Sequence, residues 1–204
     1  PEQVATPEAF AADPDMVFRF YNARRRQLNE VEPNLAHQAL ADAERKFLQS
    51  KSGAGESRSF TLVTQNVDDL HQRSGSKNVL AMHGELKKAR NSVTGEIFAW
   101  DADLDKNSQV AGKPESLGLL RPHICWFGEV PFFMEQIEST LAKADLFISI
   151  GTSGQVYPAA GFVSWVPESC MTVELNKEKS SVSTLFKCAL YGPASKVVPE
   201  FFRD

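Results

Sequence analysis

The chain has 204 residues, of which 42% are hydrophobic and 24% are charged, and it carries a net charge of −4 with a pI of about 5.6. This length and balance are typical of one globular domain with a sizeable core. The acidic charge and the lack of a long basic stripe do not favour a nucleic-acid-binding protein. No apolar stretch reaches the roughly 18 residues that a membrane-spanning helix needs. We therefore expect neither nucleic acid nor a membrane among the partners.

The cysteines give a prediction about redox environment and metal. Cys125, Cys170 and Cys188 are scattered, and no CxxC pair occurs. An odd, scattered set argues against a disulfide framework and indicates a reducing cytoplasm, and it provides no thiolate zinc site. The first residue is Pro1 and not Met, so we expect a fragment or a processed product.

Two helices are predicted near the start of the chain. Asp13 precedes a proline, as an N-cap does, and apolar side chains recur at helical spacing up to Leu28. Asn34 opens a second helix, whose apolar face ends at Phe47. The arginine run at residues 24–26 predicts a solvated helix face.

Strands follow at residues 60–63, 146–150 and 171–175, which are short apolar runs rich in β-branched and aromatic residues. Helical stretches at residues 132–144 and 180–187 separate some of them. This alternation predicts an α/β fold with a doubly wound, mostly parallel, Rossmann-like sheet in a single domain, residues 1–204.

Residues 91–118 differ from the rest because they are rich in Asn, Ser, Asp, Gly, Lys and Pro. We interpret them as a small inserted subdomain. A loose surface excursion is an equal alternative.

Polar residues follow each predicted strand. Residues 64–68 (TQNVD) follow the first, residues 151–154 (GTSG) the second, and Asn176 the third. Ligands of open α/β sheets bind beyond the carboxyl ends of the strands. Single residues of these types are common turn formers, but the three exits together favour a ligand site.

His83 follows the apolar run 79–82 and is the candidate general base, because an imidazole with a pKa of about 6.5 accepts a proton near neutral pH. A lone histidine is more often structural, and His37, His71 and His123 are weaker candidates. A nucleophilic pair of Cys125 with His83 is a further alternative, although no spacing brings the two together.

The chain carries the motifs TQNVDDLH at 64–71, MHGEL at 82–86, RPHICWFGE at 121–129, GTSGQVYPAA at 151–160, ELN at 174–176 and YGPA at 191–194. In this order, they resemble the motifs of a sirtuin. The resemblance extends from about Val4 to Phe201 and is weak only in residues 91–118.

Residues 21–24 (YNAR) resemble the YxxR motif of CobB-type sirtuins, which accept acidic acyl groups. Tyr21 and Arg24 lie three apart and therefore share one helix face, where a phenol and a guanidinium can together bind a carboxylate. The alternative is that Tyr21 belongs to the core and Arg24 to the surface.

The resemblance implies an NAD-dependent protein-lysine deacylase, a desuccinylase or deacetylase. It would transfer the acyl group to ADP-ribose and release nicotinamide, with His83 as the catalytic base. Its cofactor would be NAD and its partners acylated-lysine proteins or peptides, which would add as an extra strand. The implied NAD-binding residues are Gln65, Asn66, Val67, Asp68, Gly151, Thr152, Ser153, Asn176, Lys177, Glu178 and Ala194. The implied substrate-binding residues are Tyr21, Arg24, Phe127, Gly128, Glu129, Val156 and Tyr157.

The chain departs from the family in two places. The glycine-rich loop that precedes the YxxR helix is absent, and we interpret residues 53–57 (GAGES) as a false match because they follow that helix. We therefore expect this chain to bind NAD poorly by itself. The region that usually carries zinc cysteines has none, so we expect no zinc.

Two other functions stay open. One is a non-catalytic sirtuin-like module that binds an acyl-peptide or a nucleotide, which the missing glycine loop favours. The other is mono-ADP-ribosyl transfer, which shares the same ribosyl chemistry.

Overall fold

A computed structural model describes residues 3–50 and 58–203. The GAGES segment lies outside the described residues. The chain divides into two compact units, each built from three stretches of sequence. The first unit comprises residues 1–32, 64–69 and 81–132, and the second comprises residues 33–63, 70–80 and 133–204. The single domain over residues 1–204 stays a prediction.

The described residues contain six α-helices and eight strands. The helices are α1 (Pro7–Ala12), α2 (Pro14–Leu28), α3 (Leu35–Gln49), α4 (Leu70–Arg73), α5 (Met134–Leu141) and α6 (Ala194–Phe201). The strands are β1 (Leu62–Thr64), β2 (Val79–Ala81), β3 (Gly84–Asn91), β4 (Ile97–Ala99), β5 (Leu120–Ile124), β6 (Leu146–Ile150), β7 (Met171–Asn176) and β8 (Cys188–Tyr191). Short 3₁₀ turns occur at Pro114–Ser116, Ala159–Ser164 and Ser183–Leu185. No helix of the described part combines the length and apolar character needed to cross a membrane.

Side-chain caps confirm both predicted helix starts. Asp13 accepts a hydrogen bond from the Met16 amide at 2.9 Å, which begins α2. Asn34 accepts from the Ala36 amide at 2.9 Å, and the His37 ring accepts from the Asn34 amide at 3.1 Å, which closes a capping box at α3.

The first unit is built on an antiparallel sheet with strand order β4-β3-β5, against which α2 packs. Phe18, Ala89, Leu104 and Leu120 form its buried apolar cluster. Leu104 belongs to residues 91–118 and is 0% exposed. Part of this segment therefore belongs to the core of the first unit, and the inserted subdomain stays a prediction.

The second unit carries a parallel sheet with strand order β6-β7-β8. Its core joins this sheet to α3 and α6 through Leu40, Leu175 and Val198. A further two-stranded sheet pairs β1 with β2. The Leu62 amide donates to the Asn78 carbonyl and the Met82 amide to the Thr64 carbonyl, so these strands also run parallel. The predicted α/β class is confirmed.

The helix predicted over residues 180–187 is wrong, because only the turn Ser183–Leu185 forms there. The Ser181 amide donates to the Ser153 carbonyl at 3.0 Å. Its hydroxyl donates to the Gly154 carbonyl at 2.6 Å. Tertiary hydrogen bonds thus replace those that a helix would have made.

The solvated face predicted for residues 24–26 is wrong for Arg25, which is only 1% exposed. Its Nε donates to the Leu86 carbonyl at 2.7 Å, and one Nη donates to the Asn22 side chain at 2.7 Å. The helical period explains this burial, because Arg25 follows Tyr21 by four residues on the core side of α2. Arg24 and Arg26 are exposed as expected.

Candidate active site

His83 lies between β2 and β3, and its Nδ1 is 3.0 Å from the Gln65 carbonyl oxygen. A carbonyl oxygen only accepts hydrogen bonds, so Nδ1 carries the proton and Nε2 of the neutral ring keeps a free lone pair. Burial lowers the pKa of His83 below its ordinary value, although the hydrogen bond to Gln65 opposes this. The ring is therefore neutral at pH 7 and suited to accept a proton at Nε2.

Backbone hydrogen bonds fix the position of His83. The Cys125 amide donates to the His83 carbonyl at 2.9 Å, and the Phe132 amide donates to the Met82 carbonyl at 2.9 Å. The next residue, Gly84, lies so close to β5 that a Cβ there would be 2.1 Å from the His123 carbonyl oxygen. The imidazole is thus attached to a segment with little freedom to shift.

The loop after β1 carries four predicted NAD-binding residues. Its turn begins where the Asn66 amide donates to the Thr64 hydroxyl at 3.1 Å. The Leu86 amide donates to the Val67 carbonyl at 2.7 Å, which ties the loop to β3. Asn66 is exposed, while Gln65, Val67 and Asp68 are half-buried. The structure therefore places all four on the loop that also orients His83.

The RPHICWFGE segment forms β5 and a turn closed by Glu129. The Glu129 carboxylate accepts hydrogen bonds from the Trp126 amide at 2.8 Å and from two Arg121 nitrogens at 2.7 and 3.1 Å. Burial alone would favour the neutral acid, yet the bonds from Arg121 and Trp126 hold the pKa of Glu129 below its ordinary value. Glu129 thus acts in the framework of the turn, and it leaves Phe127 and Gly128 exposed.

Tyr21 and Arg24 differ sharply in exposure. Tyr21 is 3% exposed, and its hydroxyl accepts a hydrogen bond from Trp126 Nε1 at 3.1 Å. Arg24 is exposed, and its guanidinium lies 3.5 Å from the centre of the Phe20 ring. Burial raises the pKa of Tyr21, while the Trp126 hydrogen bond and the Arg24 charge oppose the increase. The exposures match the core-and-surface alternative, although both residues belong to α2.

In the second unit, the exits of β6 and β7 meet at a cavity of about 300 Å³. The parallel register pairs Ile150 with Leu175, which places the residues after both strands side by side. Asn176 joins the exits by donating to the Thr152 carbonyl at 2.6 Å. The lining residues predicted from the sequence are Gly151, Thr152, Ser153, Asn176, Lys177 and Glu178.

The same cavity is lined by four residues that the sequence analysis missed: Gln155, Lys179, Ser180 and Ser181. The Ser180 hydroxyl is buried and has no hydrogen-bond partner among the described residues. Three of the four follow Asn176 closely in the chain, so the strand-exit rule, applied to a longer segment, would have found them. Ala194, Val156 and Tyr157 do not line this cavity.

The other histidines and Cys125 have different environments. His123 is buried and stacked on Phe132, with ring centroids 4.5 Å apart, while His37 caps α3 and contacts His71. Burial raises the pKa of the Cys125 thiol, which keeps it protonated near neutral pH. A protonated thiol is a weak nucleophile, which disfavours the Cys125–His83 pair.

The residues do not fit a thiolate zinc site. Residues 91–118 contain no cysteine. Across the ranges that the structure describes, no three His, Cys, Asp or Glu side chains are grouped to hold a metal ion. The expectation of no zinc depends on this donor set and stays a prediction.

Comparison with known proteins identifies the family. Residues 1–158 match the model of the Sir2 family, so the chain belongs to the Sir2 family. An NAD-dependent protein deacylase of Rhodopirellula baltica is 48% identical over 204 residues, covering 98% of this chain and 83% of that protein. An NAD-dependent protein deacylase of Leishmania major is 51% identical over 201 residues, covering 97% and 80%.

Solved structures agree with this assignment. A Sir2 homologue in complex with NAD superimposes with a TM-score of 0.87 at 32% identity, covering 100% of this chain and 76% of that chain. A Sir2 complex with an inhibitor, 2′-O-acetyl-ADP-ribose and a deacetylated p53 peptide has a TM-score of 0.77 at 27% identity, covering 100% and 83%.

Proposed function

We propose that this protein is an NAD-dependent protein-lysine deacylase. The observation that carries the proposal is the orientation of His83, whose Nδ1 donates to Gln65 and whose Nε2 is free to accept a proton. The names of the relatives support the same reaction, because those at 48% and 51% identity are NAD-dependent protein deacylases.

The polar side chains that line the cavity of the second unit are suited to bind NAD. The cavity at the exits of β6 and β7 presents hydroxyls, amides and lysine ammonium groups. They include the buried hydroxyl of Ser180, which has no hydrogen-bond partner in the described part of the chain. Such groups suit the hydroxyls and phosphates of a nucleotide. We assign the adenosine half of NAD to this cavity. Gln65, Asn66 and Asp68 stay the residues predicted from the sequence for the nicotinamide ribose. Bound NAD supplies the ribose carbon that receives the acyl oxygen as nicotinamide leaves.

His83 supplies the base in this proposal. Its neutral Nε2 accepts the proton of a ribose hydroxyl, and the Gln65 carbonyl stabilises the positive ring that results. Acylated-lysine proteins or peptides are the partners. Gly128, which is exposed in the turn held by Glu129, offers main-chain groups for a peptide that adds as a strand.

The finer proposal is a preference for succinyl over acetyl groups. This preference depends on Tyr21 and Arg24, which lie three residues apart on α2 and supply a hydroxyl and a guanidinium. Hydrogen bonds to a charged group contribute about 1.5–3 kcal/mol each, or a preference of tenfold or more. The cytoplasmic location also stays a prediction, which depends on the scattered cysteines.

The decisive experiment assays the full-length protein with NAD and acetyl- or succinyl-lysine peptides, using mass spectrometry of all products. His83→Asn keeps a donor towards Gln65 but removes the base, so we expect loss of turnover with retained NAD binding. Full turnover by His83→Asn would contradict the assigned base. NAD or peptide binding by the wild type without turnover would favour the non-catalytic module, and ADP-ribosylated protein as the main product would favour the transferase.

The acyl preference has its own test. Arg24→Met removes the charge but keeps a long side chain, and we expect kcat/KM to fall at least about tenfold for the succinyl peptide and little for the acetyl peptide. Arg26→Met, on the same helix and also exposed, is the matched control. Equal losses on both peptides would refute the preference and leave the deacylase assignment intact.

A further inference from the structure

The hydrogen bond between Trp126 and Tyr21 has a direction that matters. The indole N–H only donates, so at 3.1 Å the Tyr21 hydroxyl oxygen is the acceptor. The phenol's own proton must therefore point elsewhere. Within residues 3–50 and 58–203, no hydrogen bond of the Tyr21 hydroxyl gives that proton an acceptor. Because Tyr21 is 3% exposed, its proton is a buried donor that has no acceptor among these residues.

The position of Trp126 is itself tightly held. The side chain is 2% exposed, the Arg121 guanidinium lies 3.3 Å from a ring centre of the indole, and Phe10 packs against it at 5.1 Å. The Trp126 amide is bonded to Glu129, which also binds Arg121. The indole N–H therefore keeps a fixed direction towards Tyr21.

We propose that Trp126 is a positioning residue that determines acyl specificity, because it occupies the acceptor side of the Tyr21 hydroxyl and directs its proton to the carboxylate of an acidic acyl group. The inference rests on the proposed deacylase function. An ionised carboxylate is acceptor-only and satisfies this donor, whereas an acetyl methyl leaves it unpaired, and unpaired buried donors are costly. Burial also raises the pKa of Tyr21, so the phenol keeps its proton at neutral pH.

A double-mutant cycle separates this role from simple packing. The wild type, Trp126→Phe, Tyr21→Phe and the double variant are compared on succinyl and acetyl peptides of one sequence. We expect Trp126→Phe to raise KM for the succinyl peptide about twofold to tenfold, the range for a hydrogen bond between neutral groups. KM for the acetyl peptide should change little. In the Tyr21→Phe background the same change should have no further effect on the succinyl KM, because the phenol is already gone.

A second variant controls for the loss of packing that the smaller phenylalanine causes. Site-specific replacement of Trp126 by β-(3-benzothienyl)alanine exchanges the N–H for sulfur and keeps the shape, and we expect the same succinyl-specific rise in KM. An unchanged succinyl KM, an equal rise for both peptides, or an effect that persists without the Tyr21 hydroxyl would overturn the proposal. A wild type that turns over neither peptide would instead overturn the deacylase function, and this inference with it.

Discussion

The buried amide of Asn22 anchors residues 91–118 and gives the sharpest prediction about stability. Asn22 is 8% exposed; its Nδ2 donates to the Leu104 carbonyl and its Oδ1 accepts from the Leu104 amide, both at 2.9 Å. The same oxygen accepts from Arg25 at 2.7 Å. One side chain thus satisfies the backbone of a residue 82 positions away and a buried guanidinium.

Asn22→Leu keeps the approximate shape and removes all three hydrogen bonds. It leaves two backbone groups of Leu104 and one Arg25 nitrogen buried without their partner, at a cost of about 1–3 kcal/mol each. Allowing for partial rearrangement, we expect the free energy of unfolding to fall by about 3–5 kcal/mol. That is a large part of the roughly 5–15 kcal/mol that stabilises a typical domain.

Urea unfolding followed by tryptophan fluorescence and circular dichroism measures this change. The matched control is Arg26→Leu, which breaks an exposed salt bridge to Asp103 in the same segment. With side chains 63% and 53% exposed, that pair should contribute less than about 1 kcal/mol. A loss below about 1 kcal/mol for Asn22→Leu, or one no larger than that of the control, would refute the anchoring role.

Two further predictions concern the surroundings of His83. Gly84→Ala would place its Cβ 2.1 Å from the His123 carbonyl oxygen, whereas Gly95→Ala has a similar φ (+75° against +89°) and meets nothing within 4 Å. In thermal or urea unfolding, the free energy of unfolding should fall by about 1 kcal/mol for Gly95→Ala and by at least about 2 kcal/mol more for Gly84→Ala. Equal losses for the two variants would show that the close contact of Gly84 with β5 is unimportant. Burial, with the charges of Arg90 and Lys88, lowers the pKa of His123 to about 4. Between pH 6.5 and 4, His123 therefore binds a proton more tightly in the unfolded chain than in the folded one. The free energy of unfolding thus falls as the pH falls, and at pH 4 the loss is about 3 kcal/mol. The difference in unfolding free energy between the wild type and His123→Gln should shrink by that amount from pH 7 to pH 4, and a constant difference would contradict the shift.

Much of the fold could be predicted because its signals are local. The capping residues Asp13 and Asn34 lie two or three residues from the amides they bind, so both helix starts could be recognised in the sequence. The strand prediction 146–150 matches β6, and the prediction 171–175 differs from β7 by one residue. The predicted helix 180–187 failed because the Ser181 amide and hydroxyl bind carbonyls at Ser153 and Gly154, which no local pattern reveals.

For the candidate site too, some features could be predicted from the sequence and others could not. The strand-exit rule predicted most of the cavity after β6 and β7, since parallel strands bring their carboxyl ends to one edge. It could not predict which nitrogen of His83 carries the proton, because that depends on the Gln65 carbonyl 18 residues away. Nor could it identify Trp126, whose partner Tyr21 is 105 residues distant.

The sequence by itself determined the α/β class, the helix starts, three of the eight strands in the described residues and the residue types at the strand exits, because caps and apolar periodicity act over a few neighbouring residues. Only the tertiary structure decided that Arg25 is buried, that Asn22 holds Leu104, and that Trp126 directs the hydroxyl of Tyr21. Those outcomes depend on hydrogen bonds between side chains and groups that are far apart in the chain and meet only when the core has formed.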